Sequence, residues 1–233
     1  MLLDFFDPLK RLKRRCNRTL NDPDLPESLK KLYAVNIPDG DTPLYDLPVY
    51  ALDFETSGLD HKKDQILSVG GIALDRHGID FSTAFHHLLK RRDGVRGETA
   101  VINMITPELL EKGEDPHRVM QELIQKLAGK IVICHCAIIE YSFLKRSLCL
   151  KDHDELPMIF LDTMAIERSL IKERGDPSRY SLNLIRKRRA LPTYNAHNAL
   201  IDSIAAAELF MAQVKDIFGK KKPLLGELYR RSH

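Results

Sequence analysis

Leu52-Asp53-Phe54-Glu55-Thr56-Ser57-Gly58-Leu59 follows the apolar lead Pro48-Val49-Tyr50-Ala51. The lead is short, rich in β-formers and bounded by proline before and glycine after, so it reads as a buried strand. Side chains alternate faces along a strand, which points Asp53 and Glu55 the same way. Two carboxylates side by side at the end of an apolar strand repel each other and resist desolvation, so a cation belongs on them. A hard divalent ion such as Mg2+ or Mn2+ suits the pair, because it takes oxygen ligands and keeps positions for water and a phosphate. An isolated D-x-E in a solvated turn has the same pattern, and the choice rests on whether further acids arrive.

Downstream, Gln65 to Leu74 reads as a second strand and, past a turn at Asp75 to Gly78, Phe81 to Leu89 as a third. Their short connections imply an antiparallel meander. Thr106 caps a helix with Pro107 in its first turn, and residues 116 to 128 are helical with Val119, Leu123, Ile124 and Leu127 on one face. Ile131 to Cys134 is a fourth strand followed by a helix to Leu148, and Met158 to Leu161 is a fifth strand followed by a helix from Asp162 to Ile171. Ser181 caps a helix to Arg188, and the last long helix runs from Asn198 to Phe218, where Gly219 stops it. The class is therefore α/β: a mixed five-stranded sheet, three antiparallel strands then parallel additions, flanked by helices.

The 233 residues make room for one good-sized domain and an appendage, and 43% hydrophobic with 30% charged residues supports a core and excludes disorder. A net charge of +3 permits a nucleic-acid partner. Residues 1–47 mix Leu2, Leu3, Phe5, Phe6, Leu9 and Leu12 with Lys10, Arg11, Lys13, Arg14, Arg15 and Arg18. That mixture predicts an amphipathic helix, then a short helix near Ser28 to Tyr33 and a linker from Ile37 to Leu47. The expected division is a helical extension and linker over 1–47, a catalytic domain over 48–218, and a solvated, mobile basic tail over 219–233. The basic cluster of the extension reads first as a solvated helix face, with phosphate binding or docking of a protein partner as the alternative. Four irregularly spaced cysteines and the absence of a secretory pattern point to a reducing, cytoplasmic setting, and no apolar run reaches the ~20 residues of a membrane helix.

Further acids do arrive. Glu140 follows the fourth strand near a helix start, with Phe143 and Leu144 on its side of the helix anchoring that face inward, although for this residue taken alone an exposed helix glutamate is the plainer reading. Asp202 shares a helical stripe with Ala206 and Leu209, so it lies on a packed face and needs a partner, while Ala205, Ala206 and Ala207 allow that helix close to the sheet. His197, five residues earlier, cannot share that face and belongs in the lead-in loop, where beside a metal cluster it is a candidate base.

Asp53-x-Glu55-Thr56, His135 to Glu140 with Phe143-Leu144, and His197-Asn198-Ala199-x-x-Asp202 together resemble the three motifs of the DEDD superfamily of 3′–5′ exonucleases. The match is to the branch with histidine in the third motif, which includes the proofreading epsilon subunits of bacterial DNA polymerase III. The resemblance covers residues 48 to 215 and extends to Ile105-Thr106-Pro107-Glu108-Leu109 and Leu161-Asp162-Thr163. Two departures stand out: Glu140 where the second motif carries aspartate, and Cys136 where it carries asparagine. The resemblance implies a ribonuclease H-like fold and release of nucleoside 5′-monophosphates from a 3′ end, DNA before RNA, with two divalent ions, Mg2+ or Mn2+. Asp53, Glu55, Glu140 and Asp202 would be the metal ligands and His197 the base. Thr56 would contact the terminal nucleotide and Leu59 would wedge against its base.

The run Arg186-Lys187-Arg188-Arg189 precedes the third motif, and Arg186 and Arg188 are candidate contacts to the phosphates of a single strand, a solvated helix end being the plainer alternative. Cys134, Cys136, Cys149 and His153 have roughly zinc-like spacing, against which Cys134 ends an apolar strand as a small hydrophobe would. A non-enzymatic rival is a binding or polymerase-docking module that keeps the fold with Glu140 and Cys136 as marks of decay.

Overall fold

The computed structural model describes residues 7–91, 105–171, 176–195 and 197–233. Leu2, Leu3, Phe5 and Phe6 of the expected first helix lie outside the described residues. β1 (Val49–Thr56) is the middle of a five-stranded sheet in the order β3-β2-β1-β4-β5. β2 (Ile66–Asp75) runs antiparallel to β1 and β3 (Gly78–Leu88) antiparallel to β2, whereas β4 (Ile131–Cys134) runs parallel to β1 and β5 (Ile159–Asp162) parallel to β4. This is the mixed sheet the sequence predicts, three antiparallel strands followed by parallel additions. β3 starts earlier than expected. Asp75 pairs with Gly78 across an Arg76-His77 turn that Gly78 closes at φ +127, and the exposed side chains of Asp80 to Ser82 hide the strand's beginning from hydrophobic patterning.

Each sheet face has its own core, which is why the central strands are apolar on both sides. Tyr50, Leu52 and Phe54 face a cluster with Val119, Leu123, Ile124 and Leu127 of α4 and Phe143 and Leu144 of α5. Here α1 to α5 are Pro8–Leu20, Glu27–Tyr33, Pro107–Glu111, Pro116–Leu127 and Ile138–Ser147. Val49 and Ala51 face the opposite cluster, built with Ala207, Phe210 and Val214 of α8. α6 to α9 are Thr163–Leu170, Leu182–Arg188, Ala199–Phe218 and Leu225–Arg231.

Among the described residues, the segments that flank residues 48–218 pack into the body of the fold. Leu9, Leu12 and Cys16 of α1 and Leu225, Leu228 and Tyr229 of α9 belong to the same core cluster as Val49 and Ala51. The linker joins the tail by backbone bonds: Leu44 N–H donates to Pro223 at 2.9 Å, Leu225 N–H to Thr42 at 3.0 Å and Gly226 N–H to Gly40 at 2.8 Å. The expectation of a solvated, mobile tail over 219–233 is thereby corrected. Lys220 to Lys222 are exposed, but the helix after them fills the core, and seven residues are too few for its apolar stripe to show as a period. Among the described residues no helix is long and apolar enough to cross a membrane.

Candidate active site

On β1 the side chains that face α8 run Val49, Ala51, Asp53, Glu55, so an apolar stripe turns acidic at the strand's C-terminal end. α8 brings the third acid. Its N-cap is Asn198, whose carboxamide oxygen accepts Leu200 N–H and Ile201 N–H at 3.1 Å each, and Asp202 lies one turn in. The helix start can reach β2 only because position 70 is glycine: a Cβ there would lie 2.1 Å from the Leu200 nitrogen. Ala205, Ala206 and Ala207 are buried along the same contact, as their size implied.

The result is that carboxylate oxygens of Asp53, Glu55 and Asp202 lie within 4.8 Å of one another. Burial pushes the Asp53 carboxyl well above the usual range, and the charges of Glu140, Asp202 and Glu55 push it further. Glu55 is pushed up to about 7 by burial and by Asp202, and Asp202 is raised by burial against the pull of the His197 backbone N–H. Hard oxygen donors, like-charged and desolvated at one point, are a donor set that fits a divalent cation.

Glu140 stands apart from the trio. It is 2% exposed, and its Oε2 has no hydrogen-bond partner among the described residues. Burial pushes its carboxyl up to about 8, opposed by its own backbone N–H, that of Phe54 and the Cys134 thiol. The helix face anchored by Phe143 and Leu144 is the one expected, and it carries Glu140 inward, where its charge acts on Asp53. His197 sits in the lead-in to α8, exposed, with φ +70, and its N–H donates to Asp202 Oδ2 at 2.8 Å. Thr56 ends β1 with its hydroxyl donating to Gly58 at 2.7 Å, and Leu59 is 77% exposed on the following loop. Arg146 of α5 holds that loop through the carbonyls of His61 and Asp64.

Two expectations change. Arg186 is 1% exposed and donates to the carbonyls of Ala205 and Pro192 and to Glu208, so it cannot lie along phosphates at the surface. Arg188 is exposed, with Nη1 donating to Arg179 at 2.6 Å, and Arg189 pairs with Glu167 and Asp216. The zinc spacing does not close either: among the described residues no cysteine belongs to a group of converging ligand atoms, and Cys134 is fully buried in β4.

Patterning alone misses two other residues. Ser68 pairs across from Glu55, hence on the same face, with a buried hydroxyl that has no partner among the described residues, and only strand register reveals it. Asp162 ends β5 and accepts the N–H groups of Cys136 at 3.0 Å and Ala137 at 3.1 Å, and of Met164 and Ala165, fixing the starts of α5 and α6 at once. The signal for it was an aspartate directly before a helix.

The family model for exonucleases of the RNase T type matches residues 50–210, the span that contains every acid of the site. The chain belongs to the exonuclease family. This exonuclease is similar to the PolC-type DNA polymerase III of Thermotoga maritima, 29% identical over 175 residues, which is 75% of this chain and 12% of that protein. It is also similar to the DNA polymerase III epsilon subunit of Treponema pallidum, 26% identical over 164 residues, 70% of this chain and 75% of that one. The chain thus spans about an eighth of the PolC-type relative. Among solved structures, the nuclease domain of 3′hExo, a DEDDh family member bound to rAMP, superposes with a TM-score of 0.61 at 13% identity, over 76% of this chain and 95% of that one. Exonuclease X, solved with a 5′-overhanging duplex DNA, gives 0.57 at 19% identity over 78% and 99%. This exonuclease is similar to the epsilon subunit and has the ribonuclease H-like fold.

Proposed function

We propose that this exonuclease removes nucleotides one at a time from the 3′ end of single-stranded DNA, releasing nucleoside 5′-monophosphates, with divalent ions held by its acid cluster. The observation that carries the reading is the convergence of Asp53, Glu55 and Asp202. Those three would hold one ion and Asp53 with Glu140 a second; when bound, such a pair supplies charge neutralisation for the attacking and leaving oxygens of a phosphodiester.

The chain's own groups do the rest. His197, exposed beside Asp202, takes the proton of a water whose oxygen attacks the terminal phosphorus, while the 3′ oxygen of the penultimate nucleotide departs opposite it. Its backbone bond to Asp202 holds base and ligand in one frame. Thr56 borders the terminal sugar, and the exposed Leu59 packs against the terminal base. Arg188 follows the phosphates of the strand. DNA is favoured because the relatives act as DNA polymerases or their subunits. A polymerase-like partner at residues 1–47 would meet the exposed basic face of α1, whose apolar face lies in this chain's own core, in a cytoplasmic setting.

The test is digestion of matched 3′-labelled DNA and RNA oligonucleotides, single and double stranded, with Mg2+ or Mn2+. Metal-dependent release of nucleoside 5′-monophosphates from single-stranded DNA, lost in Asp53→Ala, supports the reading. Binding without metal-dependent cleavage favours the inactive module.

A further inference from the structure

Arg186 is a surface residue by sequence and a buried one by structure. Nothing in a phosphodiesterase reaction needs a cation at that depth. Its guanidinium donates through Nη1 to the Ala205 carbonyl at 2.6 Å and through Nη2 to the Pro192 carbonyl and the Glu208 carboxylate at 2.7 Å each. Its central carbon lies 4.8 Å from the Tyr194 ring centroid, and the Tyr194 hydroxyl donates to the other Glu208 oxygen at 2.9 Å. One fork therefore ties α7, the connection that follows it and α8. Ala205 lies on the same helix as Asp202, three residues on, and Pro192 and Tyr194 lead to His197.

That connection needs holding. His197 has φ +70, a left-handed conformation disfavoured for a non-glycine residue, and its N–H must stay on Asp202 Oδ2. Loops carry catalytic groups accurately only when a scaffold positions them. A buried guanidinium is costly unless its donors are satisfied in several directions, and here the directions it satisfies are the loop and the metal-ligand helix. We propose that Arg186, with Glu208 and Tyr194, is a positioning residue that sets the His197 loop against α8 and thereby keeps the base in register with Asp202. The inference rests on His197 being the base, as read above.

The test is a mutant cycle on the full chain. Arg186→Lys keeps the charge that Asp202 feels but replaces the fork with one ammonium, Tyr194→Phe removes a single bond to Glu208, and each is also made with His197→Ala. With 3′-labelled oligothymidylate and Mg2+, Arg186→Lys is expected to lower kcat about tenfold or more, with KM and the Mg2+ half-saturation unchanged. Tyr194→Phe is expected to show a smaller loss of the same kind. In the His197→Ala background either change costs little, because there is no base left to place. Hydrogen exchange gives an independent readout: the His197 amide loses protection in Arg186→Lys.

Losses that multiply with an impairing His197→Ala overturn the brace, as do a shifted Mg2+ half-saturation in place of kcat or an unchanged His197 amide. If Arg186→Lys fails to fold by circular dichroism, Tyr194→Phe runs the same cycle. A His197→Ala protein that digests at the parental rate removes the base assignment and the brace together. If the parent shows no cleavage, the function reading fails while the amide still reports the brace.

Discussion

Gly70 and Leu200 touch backbone to backbone: a methyl on the glycine would sit 2.1 Å from the Leu200 nitrogen and 2.5 Å from its Cα. The glycine pairs with Asp53 across the strands, so the closest approach of helix to sheet lies beside the central acid. Gly70→Ala must push the start of α8 away, and with it Asp202. Overpacking of this kind costs about 1–3 kcal/mol of stability. The expected result is a modest loss in denaturant unfolding with a disproportionate loss of nuclease activity, and activity that falls only in step with stability would show that the approach does not set the acid spacing.

Asp53→Asn separates function from folding. The carboxyl is desolvated and surrounded by the charges of Glu140, Asp202 and Glu55, so its ionised form works against the fold until a cation arrives. The amide removes that repulsion. In EDTA the variant is expected to unfold at higher denaturant than the parent, while its metal-dependent cleavage drops by about 10²–10³-fold or more. Parallel unfolding curves and nuclease assays check both arms.

The same repulsion has a pH signature. The Glu55 carboxyl is raised from 4.5 to about 7 in the folded protein, so between those values the folded state holds a proton that the unfolded chain has released. Stability contributed by this group is therefore full below about 4.5 and is lost as pH rises through about 7. Denaturation in EDTA across that window should show the parent losing more stability with rising pH than Glu55→Gln does. Added Mg2+ should reduce the difference at the alkaline end, because a cation stabilises the ionised form.

His197 is exposed and its side chain fills no part of the core, so His197→Ala should unfold within about 0.5 kcal/mol of the parent. Its cleavage rate is expected to fall by about 10²–10⁴-fold, the range for loss of a positioned base. A rate within twofold of the parent, in the same assay, would remove the histidine from the reaction.

Residues whose neighbours lie nearby in sequence were legible before the fold was. The strand period alone puts Asp53 beside Glu55, and the helical stripe alone turns Asp202 inward, because both arguments use neighbours within a turn or two. Glu140 was legible as to face but not as to depth, since the groups beside its carboxyl, Phe54 and Cys134, come from two other strands. Arg186 misled for the same reason. In a run of four basic residues it looks solvated, and its partners Ala205 and Glu208, 19 and 22 residues later on α8, help explain why it is buried. Ser68 depends on register across a bulged hairpin, which no local pattern carries.

The C-terminal segment offers the sharpest contrast between pattern and packing. Leu225 and Leu228 are fully buried against α1 and the sheet, although the lysine run before them suggested a tail in solvent. Removing a buried leucine side chain costs about 2–5 kcal/mol when the site cannot collapse. Leu228→Ala should therefore lower unfolding stability by that amount, and truncation after Gly219 should cost more, because it also exposes Leu9 and Leu12 and strips the Thr42 and Gly40 carbonyls of their partners. The proposed active-site acids are carried by β1, α5 and α8, so Leu228→Ala should retain parental kcat at temperatures where it is folded. A truncated chain with parental unfolding curves would mean that the helix contributes nothing to the core it occupies.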